Sequence, residues 1–283
     1  MQARSVNPLP WWQSPVVQGG AIAVGALALG GVLGRLSYRA KHGPAIFADC
    51  NEAGLSGGTV GGVTYLEAMR GGATPDEDVP MVIAFHSLCS SPSGILNMFK
   101  SIGRARLIIP AGAYGCSNEK HRKWWKLGIT KAMKGEELPG ATVEWREEAQ
   151  RMGNFISQIQ RCRPTLGRPI VTGSSMGGEM TLLMASTHPR LLDSGVAVSG
   201  YVIPPFWNQR MAPVAMIHGD GDRTVPYDWA KDYAAHMESL GAPISFSSYS
   251  SDGHGVTKEM GKAWGTAIRG QVAKLNGDQA AVA

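Results

Sequence analysis

The sequence predicts an α/β protein with a mostly parallel sheet covered by helices on both faces, and three observations carry that prediction. Short β-branched or wholly apolar runs alternate with helical stretches from about residue 79 to residue 275, the pattern of strands buried between layers of helix. Met81-Val82-Ile83-Ala84-Phe85 is apolar at every position, as a central parallel strand requires when neither face meets water. The run Ile170-Val171-Thr172 breaks into Gly173-Ser174-Ser175-Met176-Gly177-Gly178 just before a helical pattern, which marks a tight strand-to-helix joint. With 283 residues, 43% hydrophobic and 17% charged, the chain is globular and long enough to bury a sizeable core.

The elements follow in order. From Ser14 to Gly34 no residue is charged, and residues 16–34 are about as long as a helix needs to cross a bilayer. Trp11 and Trp12 stand where an interfacial aromatic belt is expected, and Arg35, Arg39 and Lys41 follow the run. A signal peptide carries its positive charge before its apolar core, so the run is read as an N-terminal apolar helix and single membrane anchor. The chain then divides into an N-terminal segment, 1–43, and a globular domain, 44–283. The positive-inside rule places that domain in the cytoplasm, with export or a virion membrane as the alternative. In the cytoplasm Cys50, Cys89, Cys116 and Cys162 would stay reduced.

Beyond residue 43, strands are expected at 62–66, 81–85, 107–109, 168–172, 195–199, 214–218 and 244–249. Helices are expected after Pro92, over 142–162, from Gly178 to a stop at Pro189, over 227–240 and over 256–275. Residues 111–140 form a segment rich in Gly, Lys and Trp with no clear element. The net charge of +5 is spread along the chain rather than gathered into aromatic-interleaved clusters, so no nucleic-acid partner is expected. No C-x-x-C or H-E-x-x-H spacing is present, so neither a metal nor any other cofactor is expected.

The chemistry centres on Gly173-Ser174-Ser175-Met176-Gly177. A serine between glycines at a strand-to-helix turn is a nucleophile elbow: the turn exposes the Ser175 hydroxyl, and the glycines leave room for the neighbouring backbone. That hydroxyl needs a histidine to take its proton and an acid to orient the histidine. Both appear downstream at strand ends, in His218-Gly219-Asp220-Gly221-Asp222-Arg223-Thr224-Val225-Pro226 and in Asp252-Gly253-His254-Gly255. The order Ser, Asp, His suits the elbow.

From about Val79 to Leu275 the chain resembles the α/β hydrolases of the carboxylesterase, phospholipase and acyl-thioesterase type, with likeness to dienelactone-hydrolase and polyester-esterase relatives. The motifs carrying the resemblance are Gly-Ser-Ser-Met-Gly-Gly at 173–178, Gly-x-x-Asp-x-x-Val-Pro at 219–226 and Gly-His-Gly at 253–255. It implies an α/β-hydrolase fold and a Ser175–Asp222–His254 triad that cleaves an ester or thioester through an acyl-enzyme. Asp222 is chosen over Asp220 because the family's acid precedes x-x-Val-Pro, which leaves Asp220 as a turn-former. The resemblance also implies an oxyanion hole from the backbone N–H groups of Leu88 and Met176. The family's His-Gly-x-Gly is here His86-Ser87-Leu88-Cys89, so both glycine positions differ.

Other expectations concern the surroundings. Trp124, Trp125, Phe206 and Trp207 lie on segments that leave the sheet at the elbow's edge and are expected to wall an apolar substrate pocket. Cys89, lacking an elbow, is expected to be a buried thiol, and His86 to order the oxyanion loop. The expected partner is a small-molecule or lipid-like ester. The competing readings are a serine peptidase of the same fold and a non-catalytic, membrane-tethered structural protein.

Overall fold

The computed structural model describes residues 53–54, 57–117 and 120–277, all within one compact unit. Its strands and helices run, in chain order, β1 (Ala53–Gly54), β2 (Gly57–Val60), β3 (Val63–Arg70), β4 (Met81–Phe85), α1 (Pro92–Ile95), β5 (Ala105–Pro110), β6 (Tyr114–Gly115) and β7 (Arg122–Lys123). They continue with α2 (Ile129–Ala132), α3 (Leu138–Cys162), β8 (Ile170–Ser174), α4 (Met176–Thr187), β9 (Ser194–Val198), β10 (Val214–Gly219), α5 (Tyr227–Ser239), β11 (Ile244–Tyr249) and α6 (Lys258–Asn276). The segment 1–43, with the span read at 16–34, lies outside the described residues. Among the described residues no helix is long and apolar enough to cross a membrane.

The main sheet has the order β1-β2-β3-β5-β4-β8-β9-β10-β11. From β5 to β11 neighbouring strands are parallel, while β1, β2 and β3 form an antiparallel meander at the β5 edge. β4 explains why its sequence is apolar throughout. Met81, Ile83 and Phe85 enter one core, with Trp145, Met152 and Phe155 of α3, while Val82 and Ala84 enter the other, with Phe99 and with Trp264 and Ile268 of α6. Alternate side chains of a strand face opposite ways, so a strand between two helix layers has no polar face.

Element ends differ from the sequence expectation where caps decide them. α3 starts at Leu138 rather than 142, with Pro139 in its first turn, where proline's missing N–H costs nothing. α6 starts at Lys258 rather than 256, because Thr257 caps it by accepting a hydrogen bond from Met260 N–H at 3.3 Å. The 111–140 segment, formless in sequence, is the two-residue hairpin β6–β7 followed by α2, with Trp124 and Trp125 driven into the core.

The joint between β8 and α4 depends on backbone contact. A Cβ on Gly177 would stand 2.1 Å from the carbonyl oxygen of Phe85, and one on Gly173 would stand 2.5 Å from the backbone of Gly177. Gly177→Ala should therefore destabilise the fold by about 1–3 kcal/mol or more through forced backbone shifts, read as a lower midpoint in urea unfolding.

Candidate active site

Ser175 lies between the end of β8 and the first residue of α4 with φ 55° and ψ −127°, a conformation that L-residues avoid. The surrounding backbone holds it there: Ser175 N–H donates to Val198 O and Glu179 N–H donates to Ser175 O, both at 2.9 Å. Strain of this kind costs about 1–3 kcal/mol and persists only where packing over-determines it.

The structure brings Ser175, His254 and Asp222 together. Ser175 Oγ lies 2.7 Å from His254 Nε2, and His254 Nδ1 lies 2.7 Å from Asp222 Oδ2. With Nδ1 carrying its proton toward the carboxylate, Nε2 is the acceptor that faces the hydroxyl. Asp222 is 3% exposed and follows β10, whereas His254 sits in the loop between β11 and α6. Asp222 Oδ1 accepts from the N–H groups of Thr224 at 2.9 Å and Val225 at 3.0 Å. Burial alone would raise the Asp222 pKa, but the contacts from His218, His254 and Val225 outweigh it and hold the carboxyl far below the usual range. Asp220 lies in the turn closed by Asp222 N–H on Gly219 O at 3.2 Å, as expected, and also accepts from Ser251 N–H at 2.9 Å, tying this loop to the one that carries His254.

The loop after β4 carries Leu88. Ser90 N–H bonds Ser87 O at 3.2 Å, closing a turn whose third residue, Cys89, has φ 48°. A turn of that shape ordinarily takes glycine there. Here the residue is fastened by a disulfide to Cys116. That bond corrects the expectation of a buried thiol at Cys89, which is exposed, and the expectation of reduced thiols; Cys162 is disulfide-bonded as well. Among the described residues no hydrogen bond engages the Leu88 N–H.

His86 anchors the same loop from below. Gly112 N–H donates to its Nε2 at 2.9 Å, so its proton is on Nδ1, which donates to Ser87 O at 2.9 Å. Burial pushes its pKa down to about 4, so the ring is neutral and this tautomer persists at ordinary pH. Ser87 Oγ donates to Ser174 O at 2.9 Å, joining the loop to the elbow strand.

The aromatic wall expected from sequence is not where it was placed. Trp124 and Trp125 are fully buried, Phe206 is 7% exposed, and Trp207 is packed against the core. Trp124 stacks on His86 and donates its indole N–H to His86 O at 2.8 Å, so it supports the loop after β4 rather than lining a pocket. Trp125 stacks on Trp145, with centroids 4.0 Å apart. Trp207 donates to Val202 O at 2.8 Å and leans on Tyr233 of α5. Each indole is a large apolar body, and burying it inside outweighs leaving it at a rim. The space beside His254 is a polar groove of about 730 Å³, lined by residues including Asp220, Arg223, Tyr227, Asp228 and Asp252.

Two buried groups next to the site escaped the sequence reading. His218 Nε2 is 3.0 Å from Val225 O and 3.2 Å from Asp222 Oδ2. Its position within the acid's own motif was the available signal. Glu179, four residues after Ser175, is 2% exposed and lies beside the Trp125 indole, whose contact lowers its pKa but does not offset its burial. Burial, with the nearby Asp222, pushes the Glu179 pKa up to about 8, so the group is a neutral acid at pH 7.

This sheet, elbow and strand order define the α/β-hydrolase class. A profile of the phospholipase/carboxylesterase family matches residues 73–268, more than half of the chain, and the chain belongs to that family. Over 98 residues it is 28% identical to a probable carboxylesterase of Oryza sativa subsp. japonica, a match spanning 31% of this chain and 36% of that protein's length. Among solved structures it resembles esterase PE8, with a TM-score of 0.62 at 16% identity over 74% of this chain and 99% of that one. It also resembles acyl-protein thioesterase 2 of Zea mays, with a TM-score of 0.55 at 16% identity over 75% and 98% of the two chains. The carboxylesterase of Bacillus cereus gives 0.56 at 12% identity over 75% and 94%. At these identities the three structures bear on the fold alone.

Two outcomes follow from this geometry. Cys116→Ser frees the Leu88 turn, and ester turnover should fall at least tenfold, toward the roughly 100-fold that losing one oxyanion donor costs, with KM little changed. Between pH 4.5 and about 8 the folded protein holds a Glu179 proton that the unfolded chain has released, so stability falls as pH rises through that window. Glu179→Gln should flatten that decline in denaturant unfolding at pH 5 and pH 8.5.

Proposed function

We propose that the protein is a serine esterase that cleaves a carboxylic ester or thioester through an acyl-enzyme. The observation that carries this reading is the unbroken run from the strained Ser175 hydroxyl to His254 to Asp222, with both contacts at 2.7 Å. Ser175 Oγ attacks the acyl carbon while its proton passes to His254 Nε2. The Leu88 and Met176 N–H groups receive the oxyanion. His254 then gives the proton to the departing alcohol or thiol, and a water activated by the same nitrogen releases the acid. Asp222 keeps the imidazole in the tautomer this requires and stabilises the imidazolium.

The surroundings bear on substrate. With Trp124 and Trp125 occupied in the core, the reading narrows from short- and medium-chain acyl groups to short ones, with the half-exposed Leu88 as their apolar edge. The polar groove beside His254 suits a hydrophilic leaving group. The disulfide-held loop favours an oxidising compartment, where such bonds persist, and so an exported domain over a cytoplasmic one. Residues 16–34 would tether it to a membrane, a role tested by whether deletion of 1–42 releases an active, soluble enzyme.

Ser175→Ala, Asp222→Asn and His254→Ala should each lower kcat by several orders of magnitude, because the three act as a unit. Asp220→Asn should lower it far less. A fluorophosphonate probe should label only the Ser175-containing protein, and p-nitrophenyl acetate and butyrate should be hydrolysed faster than longer esters. Full activity in Ser175→Ala would end the proposal.

A further inference from the structure

Asp222 is held by more than the catalytic histidine. Its Oδ2, the oxygen that meets His254, also lies 3.2 Å from Nε2 of His218, whose ring is fully buried at the end of β10. Val225 O, 3.0 Å from the same nitrogen, can only accept, so His218 carries its proton on Nε2 and shares it between a carbonyl and a carboxylate oxygen. Val225 N–H in turn donates to Asp222 Oδ1. The three residues therefore close a ring, with His218 gripping one end of the turn and the acid gripping the other. Tyr227 and Phe246 lie against the His218 ring at centroid distances of 6.2 and 6.3 Å and limit its rotation.

We infer that His218 is a positioning residue of the esterase, a second imidazole that fixes the Asp222 carboxylate toward His254; this rests on the triad proposed above. Oδ2 without His218 has one partner, and the carboxyl is then held mainly by the two N–H groups on Oδ1. His218 is absent from the lining of the groove beside His254, so its effect reaches substrate only through the acid.

Removing a donor from Asp222 makes the carboxylate more basic and strengthens its hold on the His254 imidazolium, so the acidic limb of the rate profile moves to higher pH. The titratable and charged groups facing Asp222 and His254 are His218 from β10, Glu179 from α4, Tyr227 and Asp228 from α5, and Asp220, Arg223 and Asp252 from the loops lining the groove; the groove groups are common to every variant compared, so they move all the profiles alike. Glu179, about neutral up to pH 8, adds no charge in the range of that limb. A histidine that merely closed the 218–225 turn would change folding stability when replaced but leave the pH profile of the folded enzyme alone.

The test compares His218→Met, which keeps bulk and loses the donor, with His218→Gln, whose amide N–H reaches the Nε2 position. With p-nitrophenyl acetate, His218→Met should lower kcat about tenfold with KM within about twofold, and should move the acidic limb up by roughly half a pH unit. His218→Gln should recover most of both. A folded His218→Met enzyme with unchanged kcat and an unmoved limb overturns the inference; if that variant does not fold, His218→Asn, whose amide stops short of Oδ2, takes its place with the same expected losses. Ser175→Ala and Asp222→Asn run alongside: activity surviving in them sinks the triad itself, whereas inactive triad variants with an indifferent His218 sink only the positioning role.

Discussion

The carbonyl oxygen of Phe85 stands where any side chain on Gly177 would have to begin. This one approach lets the first turn of α4 press against the end of β4, and it draws the elbow and the loop after β4 to the same point of the sheet. With Gly177 against Phe85 and Ser175 N–H bonded to Val198 O of β9, the backbone at Ser175 has little choice but its unfavourable φ. The strain is borne by a sheet of nine strands and two helix layers, not by the turn itself.

A similar exchange of local strain for tertiary fastening occurs at Cys89. Glycine would adopt the positive φ of this turn at little cost. The cysteine instead gains a covalent tie to Cys116, and the loop is further held by the neutral ring of His86, the Trp124 indole N–H on His86 O and the Ser87 hydroxyl on Ser174 O. The carbonyls of His86 and Ser87 are thereby occupied, and among the described residues the Leu88 N–H is left without a partner. The proposed oxyanion role would use such a donor, since a rigid, unspent N–H needs no rearrangement when negative charge develops before it.

Buried ionisable groups cluster behind the serine and are kept in opposite states. Asp222 accepts from two backbone N–H groups and contacts two imidazoles, which keeps it ionised. Glu179, with only the Trp125 indole to offset its desolvation, keeps its proton. Two carboxylates charged together in this low-dielectric region would repel, and the difference in hydrogen bonding decides which one carries the charge.

Sequence by itself marked seven of the sheet's strands, the elbow and the order of the three polar motifs, because each depends on local spacing: β4 and β11 occupy the residues their patterns mark, and glycines flank Ser175 where the turn needs them, whereas the short edge strands β1 and β2 carried no such pattern. The resemblance to the family, rather than spacing alone, chose Asp222 over Asp220, and Asp222 is the acid that meets His254 in the structure. Tertiary structure alone decided the rest. Whether Trp124 and Trp125 face solvent or core depends on what α3 and the His86 ring offer them, and those contacts join residues tens of positions apart. The Cys89–Cys116 bond spans 27 residues, and His218 shares a carboxylate with a histidine 36 positions away in the chain. A periodicity reports which face of an element is apolar, but the partner that meets that face, and the atom that receives each buried N–H, exist only once the sheet has brought its strand ends together.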